Sequence, residues 1–136
     1  MPGGCEVVQL ESIKGVQLFD FSQKVLFSPV GRGEGFIKFA VTTGKRGARS
    51  TAHAHPRDEV TLTLKGEAIL RAGGEEFRLT EGSAVRLPPG LEHTVEVVSE
   101  EWVVVAAYCD ECALCRSDVR VPDHSVLRDS PDDATT

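Results

Sequence analysis

Residues 53–59 read HAHPRDE and residues 88–93 read PPGLEH, which places three of the chain's four histidines and a glutamate in two short stretches. In an extended strand the side chains at i and i+2 project from one face. His53 and His55 would therefore present two imidazoles side by side, a spacing that suits a metal ion. Pro56-Arg57-Asp58 then turns the chain, and Glu59 opens the run VTLTLKG, where its carboxylate could join the imidazole nitrogens. His93 follows a proline-glycine turn and starts TVEVV, so His93, Val95 and Val97 share a face. Any one of these histidines alone is more commonly a surface or hydrogen-bonded residue; their combination at strand-compatible spacing points to metal ligation.

A second cluster follows the last apolar run. YCDECALC sets Cys109, Cys112 and Cys115 at CxxCxxC spacing, which can gather three thiolates around one ion. A fourth ligand is not obvious. A ferredoxin-like continuation would need cysteine where Val119 stands. Cys5 or His124 could complete a structural zinc site if the chain ends meet, and adjacent CxxC pairs could exchange thiols, although no helix N-terminus is evident to lower a thiol pKa. Reduced, unligated cysteines are the leading reading.

The elements that must position these residues are short. VQLF, KVLF, GFIKFAV, VTLTLKG, EAILRA, EEFRL, SAVRL, TVEVV and WVVVAAY recur between Gly and Pro punctuation. None has the length or the 3.6-residue period of an amphipathic helix, so an all-β sandwich or barrel is expected. Ala72-Gly73-Gly74-Glu75 reads as a hairpin connection, with glycine supplying positive φ. Leu87-Pro88-Pro89-Gly90 ends a strand, because proline cannot donate to a ladder. The last fifteen residues, rich in aspartate and poor in apolar positions, read as a mobile tail.

With 136 residues and a formal net charge of −6, the chain is sized for one domain and has no basic stripe to neutralise phosphates. Nucleic acid is not an expected partner. No window approaches the ~20 apolar residues of a membrane span, and MPGGCEVVQ lacks the basic and apolar segments of a leader. A soluble, cytoplasmic protein with reduced thiols is expected.

The two histidine stretches also resemble a known family. Gly47 to Gly66, GARSTAHAHPRDEVTLTLKG, is similar to the first cupin motif: glycine, five residues, His-x-His, three residues, Glu, six residues, glycine. Gly82 to His93, GSAVRLPPGLEH, is similar to the second: glycine, five residues, Pro-x-Gly, two residues, His. Fifteen residues separate them, a spacing like that of compact single-domain cupins, and the likeness runs over roughly residues 25–108. The second motif usually ends in asparagine; here that position is Val97.

The resemblance implies a single-domain cupin barrel (a double-stranded β-helix, or jelly roll) over 25–108, preceded by an N-terminal strand segment, 1–24, and followed by a cysteine-containing extension, 109–136. It implies that His53, His55, Glu59 and His93 hold one divalent ion, with a metal-free cupin as the alternative. Imidazole and carboxylate suit Fe, Mn, Ni, Co, Cu or Zn without choosing among them. An open position on such an ion allows either oxygen chemistry, as in a dioxygenase, or Lewis-acid chemistry, as in an isomerase or lyase. The small-molecule substrate would carry a carbonyl or carboxylate, and Glu59 would serve as ligand or, if it detaches, as base. A non-enzymic metal- or metabolite-sensing cupin is the rival function.

Alternation from Glu59 points Thr61 and Thr63 toward the metal. The same parity carried back through Thr51 would let Arg49 reach a substrate carboxylate, although a solvated surface arginine in KRGAR is the leading reading. Phe36, Phe39, Trp102 and Tyr108, the only tyrosine, could wall a substrate cavity or simply fill the core. On the opposite face of the same strand, Val60, Leu62 and Leu64 form an apolar stripe that needs a cover. Cupin strands commonly pair across a two-fold axis, which implies a homodimer; the alternative cover is the chain's own N-terminal strands.

Overall fold

The computed structural model describes residues 4–28 and 38–108. Nine strands follow a short 3₁₀ turn (Leu10–Ser12): β1 Val16–Leu18, β2 Phe21–Phe27, β3 Lys38–Lys45, β4 Glu59–Lys65, β5 Ala68–Ala72, β6 Glu75–Leu79, β7 Ala84–Leu87, β8 His93–Val97 and β9 Glu101–Tyr108. Each of the nine apolar runs in the sequence supplies one strand. No helix among the described residues is long and apolar enough to cross a membrane.

The strands form two antiparallel sheets, one ordered β1-β2-β3-β9-β4-β7 and the other β6-β5-β8. Their facing sides enclose a core of Phe19, Phe21, Leu70, Leu79, Leu87, Val97, Trp102 and Val104. Strand β9 shows why the sequence folds this way: Trp102, Val104 and Ala106 are buried, while the intervening residues are only partly so. Where the backbone is most enclosed the side chains are small, and Ala40 and Ala68 are fully buried.

The turns follow local chemistry. Ala72 pairs with Glu75 across Gly73-Gly74, and both glycines have positive φ, as a two-residue hairpin that matches strand twist requires. The β1–β2 hairpin departs from the sequence reading, because the run VQLF does not continue as strand through its phenylalanine. Leu18 pairs with Phe21, leaving Phe19 and Asp20 as the loop.

The register also breaks ahead of the histidine pair. Arg49 bridges to Glu96 and His53 to His93, so four steps on one side span three on the other. One residue is extra, and it inverts the alternation. Ser50 is consequently buried, and Arg49 faces outward.

The apolar stripe on the back of β4 stays open: Val60, Leu62 and Leu64 are 46%, 38% and 49% exposed. The N-terminal strands do not cover it, since β3 and β9 lie between them and β4. Phe39 joins the exposed apolar residues instead of walling the interior. Cys109, Cys112, Cys115, His124 and Phe36 lie outside the described residues, as does the 109–136 extension.

Candidate metal centre

The first two histidines sit in a segment held to β8 by two reciprocal backbone bonds, the His53 N–H donating to the His93 carbonyl at 3.2 Å and the His93 N–H to the His53 carbonyl at 2.9 Å. This sets the two residues directly opposite each other. The Pro-Pro-Gly turn is fastened to the same segment, with the Gly90 N–H donating to the His55 carbonyl at 2.7 Å. Glu59 enters from the first position of β4, opposite Leu87 of β7. Two motifs separated in sequence thereby meet at one end of the barrel.

The three imidazoles converge so that one nitrogen from each lies within 4.8 Å of the others. The Glu59 Oε1 atom is 3.1 Å from His55 Nε2 and 3.5 Å from His93 Nε2. His55, Glu59 and His93 are buried and His53 is partly so. The His53 Nδ1 faces the Thr51 carbonyl at 2.8 Å and the His93 Nδ1 the Leu91 carbonyl at 3.0 Å. A carbonyl only accepts, so these Nδ1 atoms carry protons, and a ring with no second proton keeps its lone pair on Nε2.

That proton arrangement tests the fit of a metal. A lone pair on His93 Nε2 facing the Glu59 carboxylate is acceptor against acceptor, and Glu59 Oε1 finds no hydrogen bond of good geometry. Only positive charge between the groups, an added proton or a cation, relieves the contact. The backbone-anchored Nδ1–H is also the arrangement that orients imidazole ligands. The three converging imidazoles therefore fit a metal ion, with the Glu59 carboxylate beside two of them.

Electrostatics agree. Burial, helped by the neighbouring His93, lowers the His53 pKa to about 4. Burial alone would raise the Glu59 carboxyl, but His55 and His93, which donate to it and attract it when they carry the added proton, outweigh burial and hold the group at about 2. Near neutral pH the centre thus offers a neutral His53 imidazole and an ionised carboxylate.

A pH dependence follows for the metal-free protein. Between pH 6.5 and about 4 the unfolded chain protonates His53 while the folded chain does not. Stability therefore declines as pH drops through that window, by up to ~1.4 kcal/mol per pH unit from this group. Urea denaturation in the presence of a chelator between pH 7 and 4 reads the slope. An unchanged slope in His53→Asn would count against this origin.

Beyond the imidazoles the barrel holds a cavity of about 80 Å³. Its walls include Phe19, Phe21, Leu70, Val95, Trp102 and Tyr108, with the hydroxyl-bearing Thr42, Ser50 and Thr61 among them. Tyr108 stands 5.6 Å, ring to ring, from His55. Two of the anticipated substrate contacts lie elsewhere. The Thr63 hydroxyl accepts the Trp102 Nε1–H at 3.1 Å inside the core, and Arg49 pairs with Glu96 at 3.3 Å with its side chain 65% exposed. The register break accounts for Arg49, since the assumed parity held only for an unbroken strand. Val97, at the position where the second motif usually has asparagine, is core, 1% exposed.

Phe19, Phe21, Thr42 and Ser50 were not apparent as cavity residues. The two phenylalanines come from the N-terminal hairpin, outside both motifs, and no spacing signal links them to the histidines. Lys38 was missed as well. It is buried, pairs with Tyr108 in register, and holds its Nζ 5.9 Å from that ring's centre.

Comparisons with known proteins agree with this architecture. An uncharacterized protein of Streptomyces coelicolor is 29% identical over 62 residues, 46% of this chain and 59% of that relative. The chain thus spans less than two thirds of the relative's length. A predicted oxalate decarboxylase from Thermotoga maritima superposes with a TM-score of 0.69 at 18% identity, covering 76% of this chain and 98% of that one. A Cupin 2 conserved barrel domain protein from Salinispora arenicola gives a TM-score of 0.66 at 22% identity, covering 80% and 92%. At these identities the structures establish the fold. The Cupin domain family model matches residues 40–108, from the middle of β3 to the end of β9 and across the whole histidine cluster, and the chain therefore belongs to the cupin superfamily as a single-domain barrel.

Proposed function

We propose that this cupin is a metal-dependent enzyme of the dioxygenase or isomerase/lyase type, acting on a small organic molecule. His53, His55, His93 and Glu59 would hold one divalent ion, drawn from Fe, Mn, Ni, Co, Cu or Zn. The observation that carries the reading is the convergence of three imidazoles beside an ionised carboxylate, with His53, His93 and Glu59 on the wall of a largely apolar cavity. Such an ion supplies either Lewis acidity toward a bound oxygen atom or, if redox-active, a centre at which dioxygen reacts.

The chain's own groups do the remaining work. The backbone carbonyls of Thr51 and Leu91 fix the ring orientation of His53 and His93. Apolar walls exclude water and strengthen interactions at the centre. Thr61 and Tyr108 offer hydroxyls along the cavity. Because Arg49 is engaged by Glu96 on the outside, a carbonyl-bearing substrate fits better than one anchored by a guanidinium–carboxylate pair.

Elemental analysis of protein purified without added metal, followed by an oxygen electrode trace on the reconstituted form, tests the proposal. Iron with oxygen uptake supports the dioxygenase branch and stoichiometric zinc the Lewis-acid branch. Failure to take up any of the six metals at micromolar concentration would end it.

A second copy of the chain is the proposed cover for Val60, Leu62, Leu64 and Phe39, whose exposure as one apolar group a soluble monomer normally avoids. Sedimentation at micromolar concentration is expected to show a species of twice 14.7 kDa, and Leu62→Glu to return it to monomer. A monomer in the unmutated protein refutes this.

A further inference from the structure

Phe19 is the one non-glycine residue among those described with positive φ, 57°. It is the first of two loop residues in the β1–β2 hairpin, and at that position of such a turn glycine is the usual occupant. A bulky side chain there is strained and persists only where its surroundings hold it. Here they do. Gln17 Nε2–H donates to the Phe19 carbonyl at 3.0 Å, and the neighbouring Asp20 Oδ2 accepts the Arg49 backbone N–H at 3.2 Å. The second bond ties the turn to the segment that leads into His53.

The restraint delivers the ring to the metal centre. Phe19 is only 6% exposed, its ring centre is 5.1 Å from that of His53 at a 36° tilt, and it lines the cavity with Leu18 and Phe21. The ring thus meets His53 and the cavity at once. At about 80 Å³ the cavity is short of the ~150 Å³ that admits a benzene ring in an apolar interior, and the Phe19 phenyl group forms part of its wall.

We infer that Phe19 is a specificity-determining residue, the wall that limits ligands at this centre to small molecules with a compact apolar body and an oxygen donor at one end. This rests on the metal-centre reading proposed above. In its favour, the other groups that line the cavity beside the ligand histidines are mainly aliphatic or aromatic, among them Leu70, Val85, Val95 and Val104. A glycine would form the turn without strain and leave the cavity open.

The test uses two oxygen-donor probes that differ in the size of their apolar body, acetohydroxamate and benzohydroxamate. They are titrated into full-length protein loaded with Co(II), freed of unbound metal, and followed by the visible absorption of the bound ion. In the unmutated protein acetohydroxamate is expected to bind and benzohydroxamate to be excluded or weak. Phe19→Ala should raise the affinity ratio of benzohydroxamate to acetohydroxamate by at least about tenfold, the scale on which pocket volume discriminates between apolar ligands. Phe19→Gly should give the same gain with a smaller loss of thermal stability than Phe19→Ala, because glycine relaxes the turn. Phe19→Leu should retain most of the exclusion.

One equivalent of cobalt in the unmutated protein, with a ratio changed less than twofold in both Phe19→Ala and Phe19→Gly, overturns the assignment and leaves the metal reading standing. No cobalt uptake by the unmutated protein overturns both. If Phe19→Ala does not fold, as judged by circular dichroism, Phe19→Gly decides the matter.

Discussion

Replacing His93 by alanine is expected to lower the affinity for Co(II) or Zn(II) at least ~100-fold, beyond the loss typical when only a residue supporting a ligand is removed. His93 joins the two motifs: its ring centre lies 4.4 Å from that of His53 and 5.7 Å from that of His55, and its Nε2 faces Glu59. The backbone bonds to His53 do not depend on the side chain, so the barrel should persist. Competition against a chromophoric chelator reads the affinity, and circular dichroism checks the fold.

A linked result is expected in thermal denaturation. Metal at about 100 times its Kd stabilises the unmutated protein by ~2.7 kcal/mol, and that increment should vanish in His93→Ala. Affinity within threefold of the original would remove the imidazole cluster as the binding site.

Gly66→Ala should be the most destabilising single methyl group in the barrel. Gly66 has φ +82°, and an added Cβ would collide with the Glu101 backbone carbonyl and come within 2.7 Å of Ser99 Oγ. That hydroxyl is not free to retreat. It donates to the Glu101 carbonyl at 2.7 Å and accepts the Glu67 N–H at 2.8 Å, clamping the β4–β5 and β8–β9 connections together.

Left-handed strain and overpacking each cost roughly 1–3 kcal/mol, so a loss of about 3 kcal/mol or more is expected. For a domain of this size that lowers Tm by more than about 10 °C. Gly74→Ala is the control, because Gly74 has φ +79° but no neighbour within 4 Å of the added Cβ, and it should show the strain without the collision. Equal losses in the two variants would show that the collision is relieved elsewhere.

Both predictions concern residues whose importance was legible before any coordinates. His93 and Gly66 stand at motif positions; the imidazole states its chemistry in the sequence, whereas the close approach of the Gly66 backbone to Glu101 is visible only in the fold. The strands were legible for a related reason. Period-two alternation between Gly and Pro turns is a local pattern, and it placed His93, Val95 and Val97 on one face as the structure has them.

The structure departs from the local pattern where a parity rule runs through a break in register or a hydroxyl finds a partner on another strand. Arg49 was given the parity of His53, yet an extra residue between them reversed it, and Glu96 holds the guanidinium outside. Thr63 does share the inward face, but its hydroxyl is taken by Trp102 from β9. No rule of spacing announces that pairing.

By itself, then, the sequence determined that this would be a β protein of short strands with candidate metal-ligating side chains beside two turns, because strand periodicity, turn chemistry and donor type are properties of neighbouring residues. Tertiary structure alone decided which groups share the cavity. The bulge before His53, the left-handed turn that drives Phe19 against it and the apposition of His53 and His93 depend on how strands distant in the chain align. That alignment is fixed by packing across the whole barrel.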